Sequence, residues 1–347
     1  MEQEKMNWKE MSIGLCLVAL LAWFTFHVLL SDHSAQTLGS TFMRADIRFV
    51  SVGFACMFLF VNCEAANIRL LMRTFGKKVP YWRSLSYAFT DFYFSAITPS
   101  ATGGQPMQLY YMVRDGFGAA HSSFSLLATA AVYQMTVLVY GCVMVGANLP
   151  FVMGQGRVIR LLLVFGILVN GFCSGLILLI ILNGLLAEKT MLWIAGALSR
   201  AGIIKNRKRA VQRVEGLIDE YSRGGSYLRQ YPLAAVRMFI HSAVQLTALY
   251  LVPYWACRAL GLSVQIKDVL ALQAILSLAV TAVPLPGSVG ASEGSFLALY
   301  RTLLGTGQSF SVMLLSRGIS FYAMLCISGL VTAFLQFARR GKSASPV

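Results

Sequence analysis

The chain has 347 residues, of which 57% are hydrophobic and only 12% charged. A soluble domain carries about 25% charged residues, so this composition, with a mean hydropathy of +0.66, excludes an ordinary soluble globular protein and a disordered chain. The apolar residues come in unbroken runs, which argues against an outer-membrane barrel and leaves an all-α polytopic membrane protein, read as a single integral membrane domain over residues 1–347.

The formal net charge of +15 fits Lys and Arg gathered in cytoplasmic loops against anionic lipid heads, and no nucleic-acid partner is expected. The seven Cys lie in apolar stretches without a C-x-x-C pair, and the four His are scattered. They read as buried side chains, with no metal site and no cofactor expected.

In chain order, residues 12–30 are long enough to span and lack a small-residue cleavage site, so they read as an anchor. A second run is helical from Ile47 to Phe75 and is expected to leave the membrane along its half-polar end, residues 64–73. Residues 84–115 form the first odd segment. Its apolar part, 84–97, is about 21 Å long as a helix, too short for a hydrocarbon core of about 30 Å. It ends in Thr98-Pro99-Ser100-Ala101-Thr102-Gly103-Gly104-Gln105-Pro106, where Pro and paired Gly stop the helix. A short helical pattern, 107–113, then leads to Arg114.

Residues 122–150 and 158–182 read as ordinary spans, completing the first half, 1–182. The linker 183–232 carries nine cations from Lys189 to Arg229. Val211, Val214, Leu217, Ile218 and Tyr221 recur within it at helical spacing, which predicts an amphipathic helix on anionic lipid. The second half, 233–347, opens with a span over 233–260. A second odd segment follows over 268–304: a short apolar stretch, a break at Pro284-Leu285-Pro286-Gly287-Ser288-Val289-Gly290-Ala291-Ser292-Glu293, and a resumed helix. The last span covers 310–338. The count is about six full transmembrane helices plus two re-entrant broken-helix hairpins.

If the N-terminus is inside and each odd segment enters and leaves by one face, both termini and every strongly basic loop are cytoplasmic. The first broken segment then enters from the cytoplasm and the second from outside, as an inverted pseudo-repeat. Non-helical backbone survives in hydrocarbon only when buried in protein or lining a wet cavity, and two opposed breaks meeting near the midplane are how transporters build a substrate site. Half-helix N-termini suit phosphate; here Gln105 to Gln108 and Ser292 to Ser295 would supply them.

Intramembrane charge is a functional signal. Glu64, Asp91, Glu293 and Arg317 lie inside apolar sequence. Arg317 would hold phosphate or pair with Glu293. Glu64, Arg69 and Arg114 read as a cytoplasmic entrance, Glu64 and Arg69 being also consistent with simple snorkelling. The substrate-binding set is Thr98, Gly103, Gly104, Gln105, Gln108, Asp91, Pro286, Gly287, Gly290, Ser292, Glu293, Arg317 and Tyr322. Gly290-Ala291-Ser292-Glu293-Gly294 matches G-x-S-x-G, but no His follows His241, so a nucleophile elbow is not supported. No catalytic residue is assigned.

The stretch Phe94 to Pro106 with Tyr110-Tyr111, the stretch Val283 to Gly294, Arg69 after the second span, and Arg317 with Tyr322 in the last span resemble the signature of the lysylphosphatidylglycerol synthase transmembrane family. That family includes the membrane flippase part of the bacterial multiple peptide resistance factor. The resemblance implies lipid transport in a bacterial plasma membrane, linked to antibiotic resistance. It implies a flippase for an anionic or aminoacylated phospholipid, such as lysyl-phosphatidylglycerol, or a related lipid phosphate. The soluble synthase domain of that factor has no counterpart in these residues, so the expectation is lipid handling without the synthesis chemistry. The alternatives are a phosphatidylglycerol lysyltransferase, as the family name suggests, or an accessory scaffold of a lipid-modifying enzyme. The partners expected are the phospholipid substrate, anionic lipid at the basic loop, and a second copy or a lipid synthase.

Overall fold

A computed structural model describes residues 45–98, 101–154, 156–182, 231–280 and 290–340. The expected anchor over 12–30, the basic linker to residue 230, Pro286 and Gly287 lie outside the described residues. The described residues form helices and no strand. They are α1 (Ile47–Thr74), α2 (Tyr81–Ile97), α3 (Gly104–Arg114), α4 (Ala119–Ala147), the short α5 (Leu149–Met153), α6 (Arg157–Leu182), α7 (Pro232–Ala259), α8 (Ile266–Val280), α9 (Ala291–Leu304), α10 (Thr306–Arg317) and α11 (Met324–Arg340). A π-helical turn, Gly318–Ala323, joins α10 to α11.

Four described helices are long and apolar enough to cross a membrane: Ile47–Thr74, His121–Ala147, Pro232–Ala259 and Thr306–Gln336. The expected span 158–182 is helical across Arg157–Leu182, and its Leu161, Val164, Phe165, Leu168 and Phe172 are exposed, as a lipid-facing stripe would be.

At the centre α1 and α7 pack against each other. Asp46 starts α1 by accepting the Arg48 amide on Oδ1 at 2.9 Å. Its own N–H donates to the carbonyl of Ala259, the last residue of α7, at 2.9 Å. Further along, the buried Asn67 amide donates to Ser242 Oγ at 3.3 Å, and Asn67 Oδ1 lies 2.9 Å from His241 Nδ1. Position 46 meets 259 and 67 meets 242, so the two helices run antiparallel. Polar contacts between apolar helices fix register, because in hydrocarbon an unpaired amide is costly.

That pairing sets where the short helices start. α1 ends near Lys77, and α2 begins there. α7 ends near Gly261, at the opposite end of the α1–α7 pair, and α8 begins there. The Tyr87 hydroxyl on α2 donates to Asp115 Oδ2, just past α3, at 2.5 Å, so α2 and α3 are the legs of one hairpin. The Gln273 amide on α8 donates to the Tyr300 hydroxyl on α9 at 3.0 Å, so α8 and α9 are the legs of another. The hairpins therefore enter from opposite ends of the bundle, as the sequence predicts. A 28-residue helix precedes each one.

The element boundaries differ modestly from expectation. α2 starts at Tyr81, where Pro80 fits a helix start, and α3 starts at Gly104 rather than 107. α1 does not thin out after Glu64: Cys63, Ala65, Asn67, Ile68, Leu71 and Met72 are all buried. Of the polar residues of that stretch, Asn67 is buried, Glu64 and Arg69 are half-buried and Arg73 is exposed.

Candidate functional site

Glu64 and Asp91 occupy matching places. Glu64 is ten residues before the end of α1 and Asp91 ten residues after the start of α2. The helix ends are joined by a short link, so each carboxylate lies about 15 Å into the bundle at 1.5 Å per residue.

Both carboxylates line one cavity of about 520 Å³. α1 contributes Glu64, α2 Asp91 and Ser95, the hairpin tip Ala101, and α3 Gln105 and Gln108. α4 adds Thr129, Tyr133 and Gln134, α7 adds Gln245, and the π turn adds Phe321. The Gln108 amide donates to Glu64 Oε1 at 2.7 Å, and Ser95 hydrogen-bonds Asp91. Among the described lining residues there is no Lys, Arg or His. The arrangement is a pocket within the helix bundle with two acids, several amides and no cation on its described lining. Gln245 is 3% exposed and makes no hydrogen bond among the described residues, though it lines the same cavity.

The hairpin tip is built to bring α3 against Asp91. The Thr98 hydroxyl donates to the Phe94 carbonyl at 2.6 Å and accepts the Gly103 amide at 2.9 Å. Ala101 is held in the left-handed region at φ 54°, a conformation that costs a non-glycine residue free energy and recurs at functional sites. Gly104 lies so close that a Cβ there would overlap the Asp91 and Ser95 side chains. Any larger residue there would have to displace the Asp91 and Ser95 side chains.

Glu293 and Arg317 form a second charged centre. Glu293 Oε1 accepts from Arg317 Nε at 2.7 Å, and Glu293 Oε2 accepts the Gly290 amide at 2.7 Å. Glu293 is 1% exposed and Arg317 16%. The Arg317 guanidinium also stacks over Phe321, 4.5 Å from the ring centre. Phe321 packs with Tyr93, Phe94, Ala96 and Ile97 from the first hairpin and lines the cavity. One ring thus separates the ion pair from the acidic pocket.

Of the residues named from sequence, the cavity gathers Glu64, Asp91, Gln105 and Gln108. Thr98, Gly103 and Gly104 build its wall. Gly290, Glu293 and Arg317 form the ion-paired brace beside it, with Tyr322 on the adjoining π turn and Ser292 half-buried on α9. Arg69 sits with its guanidinium 5.7 Å over the Tyr81 ring, and Arg114 is exposed, its Nη1 3.5 Å from the Tyr110 hydroxyl. At the half-helix starts the cap amides of Gly103 and Gly290 are taken inside the chain, by Thr98 and by Glu293. Thr129, Tyr133, Gln134 and Gln245 were not singled out from sequence. The available signal was polar side chains at one-turn spacing on α4, inside a run read as an ordinary span.

A family model described as the lysylphosphatidylglycerol synthase TM region matches residues 11–328. The chain is also 26% identical over 283 residues to a UPF0104 membrane protein of Archaeoglobus fulgidus, covering 77% of this chain and 80% of that one.

Proposed function

The chain belongs to the lysylphosphatidylglycerol synthase TM region family, and from that premise we propose that it moves a phospholipid with an aminoacylated head group between the leaflets of its membrane. One observation carries this reading: a cavity of about 520 Å³ inside the helix bundle holds Glu64 and Asp91 with no cation on its described lining. An intramembrane carboxylate costs at least about 2.5 kcal/mol on insertion scales, and two in one pocket call for a positive guest. An aminoacyl ammonium meets that need, whereas phosphatidylglycerol alone brings a further negative charge. The volume falls within the ligand-pocket range of about 300–1,000 Å³, enough for a head group while the acyl chains stay in lipid.

In this reading Glu64 and Asp91 receive the ammonium, and Gln105, Gln108 and Gln245 hydrogen-bond the ester and glycerol oxygens. Glu293 and Arg317 brace the wall, since each already answers the other's charge. The cationic loops support a plasma-membrane protein with both termini cytoplasmic.

Reconstitution tests it. Vesicles of phosphatidylglycerol carry a trace of acyl-labelled lysyl-phosphatidylglycerol or acyl-labelled phosphatidylglycerol, and a membrane-impermeant quencher reports leaflet exchange. The protein is expected to speed exchange of the lysylated probe, and Glu64→Gln with Asp91→Asn to abolish that acceleration. Equal rates with and without protein would overturn the reading. Lysyl-lipid formed from charged tRNA would favour the transferase alternative instead.

A further inference from the structure

We infer that Glu64 and Asp91 exchange protons for the ammonium of the lipid, making the protein a proton–lipid antiporter. This rests on the head-group reading above and goes beyond it to the energy source. The step follows from charge balance. With the ammonium bound, the carboxylates are ionised and the pocket is compensated. When the head group leaves, the same two acids are left together in the pocket. α1 offers only Glu64 to the pocket, α2 only Asp91, and α4 only the phenol of Tyr133 as ionisable groups. α3 and α7 offer amides, and the π turn offers Phe321.

The nearby cations lie off the described lining. Arg317 lies behind Phe321 and is paired with Glu293, next to Tyr322. Arg69 on α1 stacks on Tyr81, and His241 on α7 contacts Asn67. No side chain of the described lining replaces the departing positive charge, so a proton does. Water on the open side gives the proton to a carboxylate as the ammonium leaves. The carboxylic acid returns it to water on the other side as the next ammonium enters. Each of the two proton transfers breaks one O–H bond and forms one, between hydronium and carboxylate on one side and between carboxylic acid and water on the other, with no change of oxidation state.

Gln245 is the independent sign that the pocket is built for a polar occupant. It is 3% exposed, lines the cavity and has no hydrogen bond among the described residues. An amide buried in that way loses its hydration without recompense unless water or a ligand fills the pocket. Water there is also the path by which a proton reaches Glu64 and Asp91, both of which are only half-buried.

The test uses the full chain in phosphatidylglycerol vesicles with a trace of acyl-labelled lysyl-phosphatidylglycerol, an entrapped pH dye, and protein-free vesicles as the control. With the exterior made more acidic, the probe is expected to gather in the outer leaflet while the interior acidifies. Coupling of one proton per lipid sets an asymmetry of about tenfold per pH unit. Asp91→Asn is expected to remove the response to the gradient. Probe that moves but stays evenly distributed, with a silent pH dye, overturns the coupling and leaves the transport reading standing. A full gradient response in Asp91→Asn with Glu64→Gln overturns the assignment of the coupling to these carboxylates. Probe that does not move at all overturns the transport reading and the coupling together.

Discussion

Glu293 and Arg317 meet at 2.7 Å because each lies eleven residues from one turn. Glu293 precedes Leu304 by that distance along α9, and Arg317 follows Thr306 by the same distance along α10. Gly305, at φ 75°, reverses the chain between them, a conformation glycine adopts freely. Both charges therefore sit about 17 Å from the turn, the glutamate tying down the start of α9 and the arginine closing α10 at the π turn.

Breaking that pair from one side leaves a buried charge alone. Arg317→Met is expected to cost about 3–5 kcal/mol, the range for stripping one partner from a buried ion pair. Adding Glu293→Gln removes the stranded charge while keeping an oxygen for the Gly290 amide, and is expected to recover most of the loss. Thermal unfolding of the purified variants reads both effects. Losses that simply add would show that the two side chains do not act on each other.

Gly104 permits the contact that sets the cavity wall. Gly104→Ala places a methyl group where Asp91 and Ser95 already are, so lipid exchange is expected to fall at least tenfold while the protein stays folded. Ser95→Gly in the same chain opens part of that space and is expected to restore part of the rate. Leaflet exchange in vesicles measures it. Unchanged activity in Gly104→Ala would mean that α3 need not approach α2 so closely.

The hairpin clasps are expected to matter in proportion to the partner they strand. Tyr87→Phe removes one hydrogen bond to Asp115, and Tyr300→Phe leaves the Gln273 amide without its acceptor. Tyr300→Phe is expected to lower stability by about 1–3 kcal/mol, the penalty for an orphaned buried polar group, and Tyr87→Phe by about 1 kcal/mol, the net worth of one hydrogen bond. Thermal unfolding in detergent checks both. A neutral Tyr300→Phe would place that hydroxyl outside the forces that hold the second hairpin together.

Much of this architecture is legible in the sequence because hydrocarbon imposes coarse rules. Stretches such as 84–97 are too short to span, and a Pro/Gly break after them has only a few places to go. The opposed hairpins follow from that and from where Lys and Arg collect. The position of Glu64 was less legible. Charge near a helix end suggests snorkelling, and only the packing of α7, α4 and α3 around α1 shows that this face is enclosed. Gln245 was invisible for a similar reason, since one amide in a 28-residue span carries no periodic signal. Arg317 read as a phosphate ligand or an ion-pair partner, and distance alone decided for Glu293.

Asn67 offers a separate check on the helix pairing that places everything else. Asn67→Leu strips the partners of Ser242 and His241 and is expected to cost about 1–2 kcal/mol, the scale of interhelical hydrogen bonds in membranes. Ser242→Ala in the same chain is expected to add little, as measured by a double-mutant cycle in thermal unfolding. Fully additive losses would indicate that α1 and α7 are not registered through these groups.

The most direct test is an experimental density map of the protein in nanodiscs containing lysyl-phosphatidylglycerol. The account predicts head-group density in the pocket between α1 and α2, with a nitrogen within about 3 Å of Glu64 or Asp91, the N–O distance of a charge-assisted hydrogen bond. A map in which apolar side chains fill that space, with lipid only on the outer surface, would contradict it.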